Sequence, residues 1–239
     1  MLVNTKAIVF SVLKYSEADL IVTCFTEQEG IKNYLLRGIL KSKKGKLKPS
    51  QFQLLTQLEL VAFHNNKGTL ESIREAKVIE PYQTLHTHII KSGMVMFLSE
   101  MLKNCIKEEE RNEELFEYLE NALFWLDGHD DIANFHILFL LKLSTHLGFF
   151  PDTTHIEAQN FNLLEGCFQK NHTGNYCENG QLIIDFKRFF GINFDAINRI
   201  KLTKKARLEV LNLLLTYYQL HLQDYKNPKS LLVLNQLFQ

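Results

Sequence analysis

The sequence predicts an α+β chain, with a five-stranded OB-fold barrel at the N-terminus and an all-helical C-terminal domain that carries a loop-rich insert. Three observations predict it. Apolar residues alternate with period two from Lys6 to Ile79, recur with a period near 3.6 after Pro81, and thin out among Asn, Gly and His between Pro151 and Asp185. The expected domains are therefore residues 1–80 and 81–239, with the insert at 151–185 inside the second.

The strands rest on runs rich in β-branched and aromatic residues. Residues 7–13 and 20–26 are the clearest, and 32–39, 57–63 and 69–78 follow. They are divided by Glu29-Gly30, by a lysine-rich stretch, and by the turn His64-Asn65-Asn66-Lys67-Gly68, whose Asn and Gly tolerate positive φ. Five short strands with no helical pattern between them suit an OB-type barrel, and an SH3-like barrel fits the count equally well.

Beyond Pro81, Ile89, Ile90, Gly93, Met94, Phe97, Leu98, Met101 and Leu102 form one apolar stripe, and Leu115, Leu119, Ala122, Leu123 and Leu126 a second. The run 132–147 is apolar on nearly every face, as in a helix buried within a bundle. Two more helices are expected at 204–222 and 228–238, the last with Pro228 in its first turn. The insert shows short apolar patches and room for one hairpin.

A chain of 239 residues buries roughly 70 to 75% of its unfolded surface and needs no disulfide or metal staple. The apolar stretch 135–150 is interrupted by His136, Lys142 and His146 and is too short to span a bilayer. Met1 to Lys6 lack the pattern of a secretory signal, and cysteines at 24, 105, 167 and 177 are scattered as reduced thiols would be. A cytoplasmic protein is expected.

Twenty-seven basic residues balance twenty-seven acidic ones, so no globally basic surface points to nucleic acid. The distribution does. Lys32, Arg37, Lys41, Lys43, Lys44, Lys46 and Lys48 lie between Ile31 and Ser50 without one Asp or Glu. Each lysine that neutralises a phosphate releases a condensed counterion, so such a cluster gives affinity independent of sequence and sensitive to salt. The plainer reading is a solvated loop whose lysines guard a sheet edge. Tyr15, Phe25, Tyr34, Phe52 and Phe63 are aromatic enough to stack on bases, although strand aromatics are commonly core, and Tyr34, with Phe52 as the alternative, is the candidate stacking residue beside the cations. The acidic run Glu108, Glu109, Glu110, Glu113, Glu114, Glu117 and Glu120 reads as a solvated helix face.

Catalytic constellations are missing from the sequence: no phosphate-binding glycine loop, no G-x-G-x-x-G, no H-E-x-x-H and no G-x-S-x-G. Glu17 and Asp19 resemble a carboxylate pair but have no third group, and His86 and His88 fall on different helix faces. His155, Cys167, His172 and Cys177 offer four ligand atoms without the spacing of a structural zinc site. No catalytic residue, metal site or cofactor is expected.

Several ordered segments resemble the RecO family. Tyr15-Ser16-Glu17-Ala18-Asp19-Leu20-Ile21, followed by Phe25-Thr26 and Gly30, is similar to its first hairpin; Leu36-Arg37-Gly38-Ile39 running into Lys41-Ser42-Lys43-Lys44 resembles its basic third strand. Phe52, Leu54-Leu55 and Leu58-Glu59-Leu60 resemble the fourth strand, and 70–80 the fifth. Tyr217-Tyr218-Gln219-Leu220-His221-Leu222 and Pro228-Lys229-Ser230-Leu231 are similar to the C-terminal signature.

The resemblance implies an OB-fold joined to a helical domain in a recombinational repair mediator that performs no bond-making chemistry. It implies binding to single- and double-stranded DNA, annealing of complementary strands, and partnership with RecR and the C-terminal tail of single-strand-binding protein in loading RecA, with RecF a further partner. Lys229 and Ser230 match the region expected to hold the tail, for which an acidic peptide ending in Phe needs an apolar groove beside a cation. Many relatives carry a four-cysteine zinc module in the insert; here only Cys167 and Cys177 lie there, so zinc is not carried over and Phe161, Leu163, Leu164 and Phe168 are expected to hold the insert instead. A protein-only adaptor whose barrel does not bind DNA is the competing reading.

Overall fold

The computed structural model describes residues 1–42, 45–65, 67, 70–107 and 110–237. The strands β1 (Leu2–Lys14), β2 (Leu20–Thr26), β3 (Gly30–Leu36), β4 (Gln57–Phe63) and β5 (Ser72–Val78) form one antiparallel sheet in the order β3-β2-β1-β4-β5. Helices α1 (Ile89–Cys105) and α2 (Glu113–Gly128) follow, and with the sheet they make a first compact unit, Met1–Gly128. The second unit, His129–Gln239, holds α3 (Phe135–His146), the short strands β6 (Asn160–Asn162), β7 (Cys167–Gln169) and β8 (Cys177–Glu178), then α4 (Gln181–Lys187), α5 (Lys204–His221) and α6 (Leu231–Leu237). The change of period near residue 80 thus falls inside the first unit, because two helices pack with the sheet. No helix among the described residues is long and apolar enough to cross a membrane.

β1 is long because it serves both halves of the sheet: Leu2 to Ile8 pair with β4, and Ala7 to Lys14 pair with β2. The register shifts between Val9 and Ser11, and a bulge there bends the strand. On one face Val9, Val22, Tyr34, Leu36, Leu58, Leu60 and Ile73 make the core of the curled sheet. On the other, Phe10 stacks on Phe25 with centroids 5.7 Å apart, and Phe25 meets Phe116 of α2 at 5.9 Å. Burial on both faces explains why Ala7-Ile8-Val9-Phe10 reads as a continuous apolar run.

The sheet curls until its edges touch, but among the described residues a single parallel bridge, Tyr34–Glu71, joins them in place of a full ladder. There the Leu35 N–H donates to the Glu71 carbonyl at 2.9 Å and the Glu71 N–H to the Asn33 carbonyl at 2.8 Å. A buried polar chain reinforces the seam. The Tyr34 hydroxyl lies 2.8 Å from His64 Nε2, His64 Nδ1 lies 2.7 Å from Glu29 Oε2, and Lys32 Nζ lies 3.6 Å from that same carboxylate oxygen. One tautomer satisfies both histidine contacts: Nδ1–H donates to Glu29 and Nε2 accepts from Tyr34.

The link into α1 is fixed by Asp127, whose carboxylate accepts the N–H groups of Gln83, Thr84 and Leu85, each at 2.8 Å. The buried Lys91 ammonium donates to the Thr84 hydroxyl and to the Asp127 carbonyl, both at 2.7 Å.

In the second unit the insert is more ordered than its sequence suggests. β6–β7 is the expected hairpin, and β8 and α4 add a third strand and a helix, so this region is not all-helical. Phe161, Leu163 and Phe168 are buried as expected, whereas Leu164 is exposed, because it sits in the tight turn that its neighbour Asn162 caps by accepting its N–H at 3.0 Å. Residues 217–222 of the C-terminal signature are tied into the fold by three hydrogen bonds. The Tyr217 hydroxyl donates to the Phe149 carbonyl and the Tyr218 hydroxyl to the Leu140 carbonyl, both at 2.7 Å. His221 Nε2 donates to the Leu163 carbonyl at 2.8 Å. Pro228 lies outside α6, which begins at Leu231; Ser230 stands at its N-cap, with its carbonyl accepting the Leu234 N–H at 3.0 Å.

Candidate nucleic-acid interface

The basic segment leaves β3 through Gly38, whose φ of +67° turns the chain sharply without a Cβ penalty. Asp19 clamps that turn from the β1–β2 connection, Oδ1 accepting the Gly38 N–H at 2.7 Å. This N–H, and after it the Ser16 hydroxyl, holds the Asp19 carboxyl below the usual carboxylate range. Glu17 and Asp19 are therefore turn-formers with separate partners, since Glu17 pairs with Lys41 at 3.0 Å.

Strand geometry sorts the candidate residues into two groups. Arg37, Lys41, Lys46 and Lys48 are exposed, and Lys46 is joined to Glu75 at 3.5 Å. With Leu36, Ile39, Leu47 and Ile73 beneath them, Arg37 and Lys46 line an open cleft of about 570 Å³ at the seam between β3 and β5. Lys32 and Tyr34 do not belong to this surface. They alternate with Asn33 and share the inward face of β3 with Leu36, so the Lys32 side chain is only 9% exposed and Tyr34 is fully enclosed. Tyr34 has no free ring face for a base, and burial pushes its phenol well up. Lys43 and Lys44, and Asn66 and Gly68 of the expected hairpin turn, lie outside the described residues. Glu108 and Glu109 of the acidic run do as well. Among the other aromatics, Phe25 and Phe52 are core, while Tyr15 and Phe63 are exposed.

The pair Lys229 and Ser230 is split: Lys229 is exposed, and Ser230 is buried at the head of α6. Next to that helix is a feature the sequence reading missed. A pocket of about 230 Å³ is lined by Leu208, Leu211 and Leu234 together with Lys204, Lys205 and Arg207. Its signal was present: three cations crowd the first turn of α5, where the helix dipole disfavours positive charge. Arg207 is held in place by Asn134, whose Oδ1 accepts its Nε–H at 2.9 Å. The enclosed His136 at the base of the pocket is pulled down to about 3 by burial and by Arg207, and is neutral.

Cys167 and Cys177 pair with the same residue, Asn162, from opposite sides of β6. Two ladder spacings put their backbones about 10 Å apart, and the Cys177 sulfur faces the Gln169 amide at 3.5 Å. Among the described residues no group of three or more His, Cys, Asp or Glu is placed to hold a metal. His86 is also engaged, with Nε2 2.8 Å from the Leu54 carbonyl.

Comparison with known proteins agrees with this architecture. Residues 1–82 match the family pattern described as recombination protein O N terminal, and residues 86–231 match recombination protein O C terminal. DNA repair protein RecO of Christiangramia forsetii is 52% identical over 238 residues, covering all of both chains. The proteins of the same name from Flavobacterium psychrophilum and Bacteroides fragilis are 44% and 33% identical, again over the full length of each. The chain belongs to the RecO family of DNA repair and recombination proteins.

Proposed function

We propose that this chain is a recombination mediator that binds single- and double-stranded DNA, anneals complementary strands, and acts with RecR and single-strand-binding protein in loading RecA, with RecF a further partner. It works in the cytoplasm without a cofactor and without making or breaking covalent bonds. The observation that carries the DNA-binding reading is the segment 37–48, where Arg37, Lys41, Lys46 and Lys48 stand exposed on a loop clamped to the sheet edge. Annealing follows from the same chemistry, because neutralised phosphates let two polyanions approach while their bases stay available to pair.

Affinity for single-stranded DNA measured against salt tests this reading. Four cations contribute a slope of log affinity against log salt of about −2.8, or roughly a 50-fold loss between 50 and 200 mM salt. Arg37→Ala with Lys41→Ala lowers that slope by about 1.4. Undetectable binding at low salt leaves the protein-only adaptor as the better account.

The tail of single-strand-binding protein is assigned to the pocket beside α6, where Leu208, Leu211 and Leu234 accept an apolar end and Lys204 and Lys205 meet its acidic residues. Titrating a tail peptide checks this: Lys204→Ala with Lys205→Ala weakens binding about tenfold, and Lys229→Ala reports whether the neighbouring cation shares the load.

A further inference from the structure

The connection between β1 and β2 carries an aromatic ring that the fold does not use. Tyr15 is 62% exposed, in contrast with Phe25, Tyr34 and Phe52, which are core. Leu13 and Leu40 are exposed in the same region. The backbone beneath the ring is firmly set. The Tyr15 N–H donates to the Asp19 carbonyl at 3.0 Å, closing the turn, and the Ser16 hydroxyl accepts the N–H groups of Ala18 and Asp19, both at 3.2 Å.

That turn is bonded to the basic segment at three points. Asp19 takes the Gly38 N–H at 2.7 Å, the Ala18 carbonyl takes the Leu40 N–H at 3.0 Å, and Glu17 meets Lys41 at 3.0 Å. An exposed aromatic side chain, pre-set by a rigid turn and tied to Arg37-Gly38 and Lys41, has the composition of a single-strand site, in which cations hold the phosphates and a ring receives a base. Of the two carboxylates in this turn, Asp19 accepts the Gly38 N–H and Glu17 pairs with Lys41. Glu17 is 88% exposed and its pair with Lys41 is weak at such a surface, so a phosphate can replace it.

We infer that Tyr15 is a base-stacking residue that receives an unpaired nucleobase of single-stranded DNA while Arg37 and Lys41 hold the adjoining phosphates. The inference rests on the DNA-binding function proposed above and adds to it a source of preference for unpaired strands. A duplex keeps its bases stacked on one another and offers Tyr15 nothing; an unpaired strand offers a π-face at every residue, whatever its sequence.

The test compares the full-length protein with Tyr15→Ala, Tyr15→Phe and Tyr15→Trp on three probes: a labelled oligothymidine, an abasic strand of equal length, and a duplex. Tyr15→Ala is expected to weaken oligothymidine binding about tenfold while leaving abasic and duplex affinities within about twofold and the salt slope unchanged. Tyr15→Phe retains affinity, and Tyr15→Trp shows fluorescence quenching by oligothymidine above that of Trp125 in the unsubstituted protein. Thermal unfolding confirms that the variants are folded. Equal loss on the oligothymidine and the abasic strand, or no loss on either with no added quenching in the Tyr15→Trp variant, overturns the stacking role while leaving DNA binding standing. If the unsubstituted protein binds none of the probes at low salt, the DNA-binding function fails, and the stacking role with it.

Discussion

Lys32 belongs to the basic run in sequence but to the buried seam in space, and replacing it with Met separates the two roles. Its ammonium is 3.6 Å from a Glu29 oxygen that also receives the His64 ring, and the two side chains are only 9% and 19% exposed. Removing one member of an enclosed ion pair costs about 3–5 kcal/mol. Glu29 keeps its hydrogen bond from His64 and some contact with solvent, so the cost falls at or below the bottom of that range, about 2–3 kcal/mol. For a chain of this size each kcal/mol moves the midpoint by about 2–4 °C, so Lys32→Met lowers it by roughly 5–10 °C. Adding Glu29→Gln restores part of the loss, because no lone carboxylate then remains inside. Thermal unfolding followed by circular dichroism measures the first effect, and fluorescence anisotropy with a labelled strand, well below both midpoints, measures the second. The expected result is a lowered midpoint with DNA affinity unchanged within about twofold, opposite to Arg37→Ala, which spares the midpoint and weakens binding. An unchanged midpoint with affinity reduced as far as in Arg37→Ala would refute the placement of Lys32 in the seam.

Three further outcomes are expected. Gly166→Ala destabilises by about 2 kcal/mol or more in a denaturant titration, since φ there is +66° and a Cβ would lie 2.5 Å from the Tyr217 hydroxyl oxygen; combining it with Tyr217→Phe recovers only the steric part. His136, with a folded pKa pulled down to about 3 from 6.5, stays neutral while the unfolded chain takes up a proton. Stability is therefore lost as pH falls from 6.5 toward 3, by about 2 kcal/mol at pH 5, and His136→Gln flattens this acid limb in unfolding curves measured across pH. Glu17→Gln releases Lys41 from its 3.0 Å pair and raises affinity for single-stranded DNA about twofold at low salt, an effect that vanishes at high salt.

The first unit was readable because its strands are seven residues or longer and one face of the sheet is core, so alternation persisted long enough to register. The same alternation, applied strictly, separates Lys32 and Tyr34 from Arg37: positions 30, 32, 34 and 36 share one face of β3, and Leu36 marks that face as inward. The closing contacts were not readable, because a single bridge at Tyr34–Glu71 and a polar chain from residue 29 to residue 64 join positions with no local pattern. The insert escaped for another reason. Strands of two or three residues cannot establish a period, and what holds them is tertiary: Phe161 against Phe168 at 4.8 Å, and His221 on the Leu163 carbonyl. The pocket beside α6 combines residues from three helices, and only the three cations at the start of α5 gave it a mark in the sequence.

Zero net charge and the DNA-binding role proposed for the basic segment are compatible once the carboxylates near that segment are located. Two of its four described exposed cations, Lys41 and Lys46, are paired with Glu17 and Glu75, both on the sheet side of the loop and both well exposed. Such pairs contribute less than about 1 kcal/mol each, so they lower the field around the loop without sealing it. A strand gains the cations but must displace the carboxylates. Arg37 forms no ion pair among the described residues, although the ionised Asp19 carboxylate that accepts the Gly38 N–H lies within its field. Substitution at Arg37 should therefore outweigh substitution at Lys41 or Lys46, although a count of charges ranks the three alike. On the proposed function, a segment built this way holds DNA weakly and exchangeably, as annealing requires, since a strand bound too tightly would not yield its phosphates as the second strand closes on it.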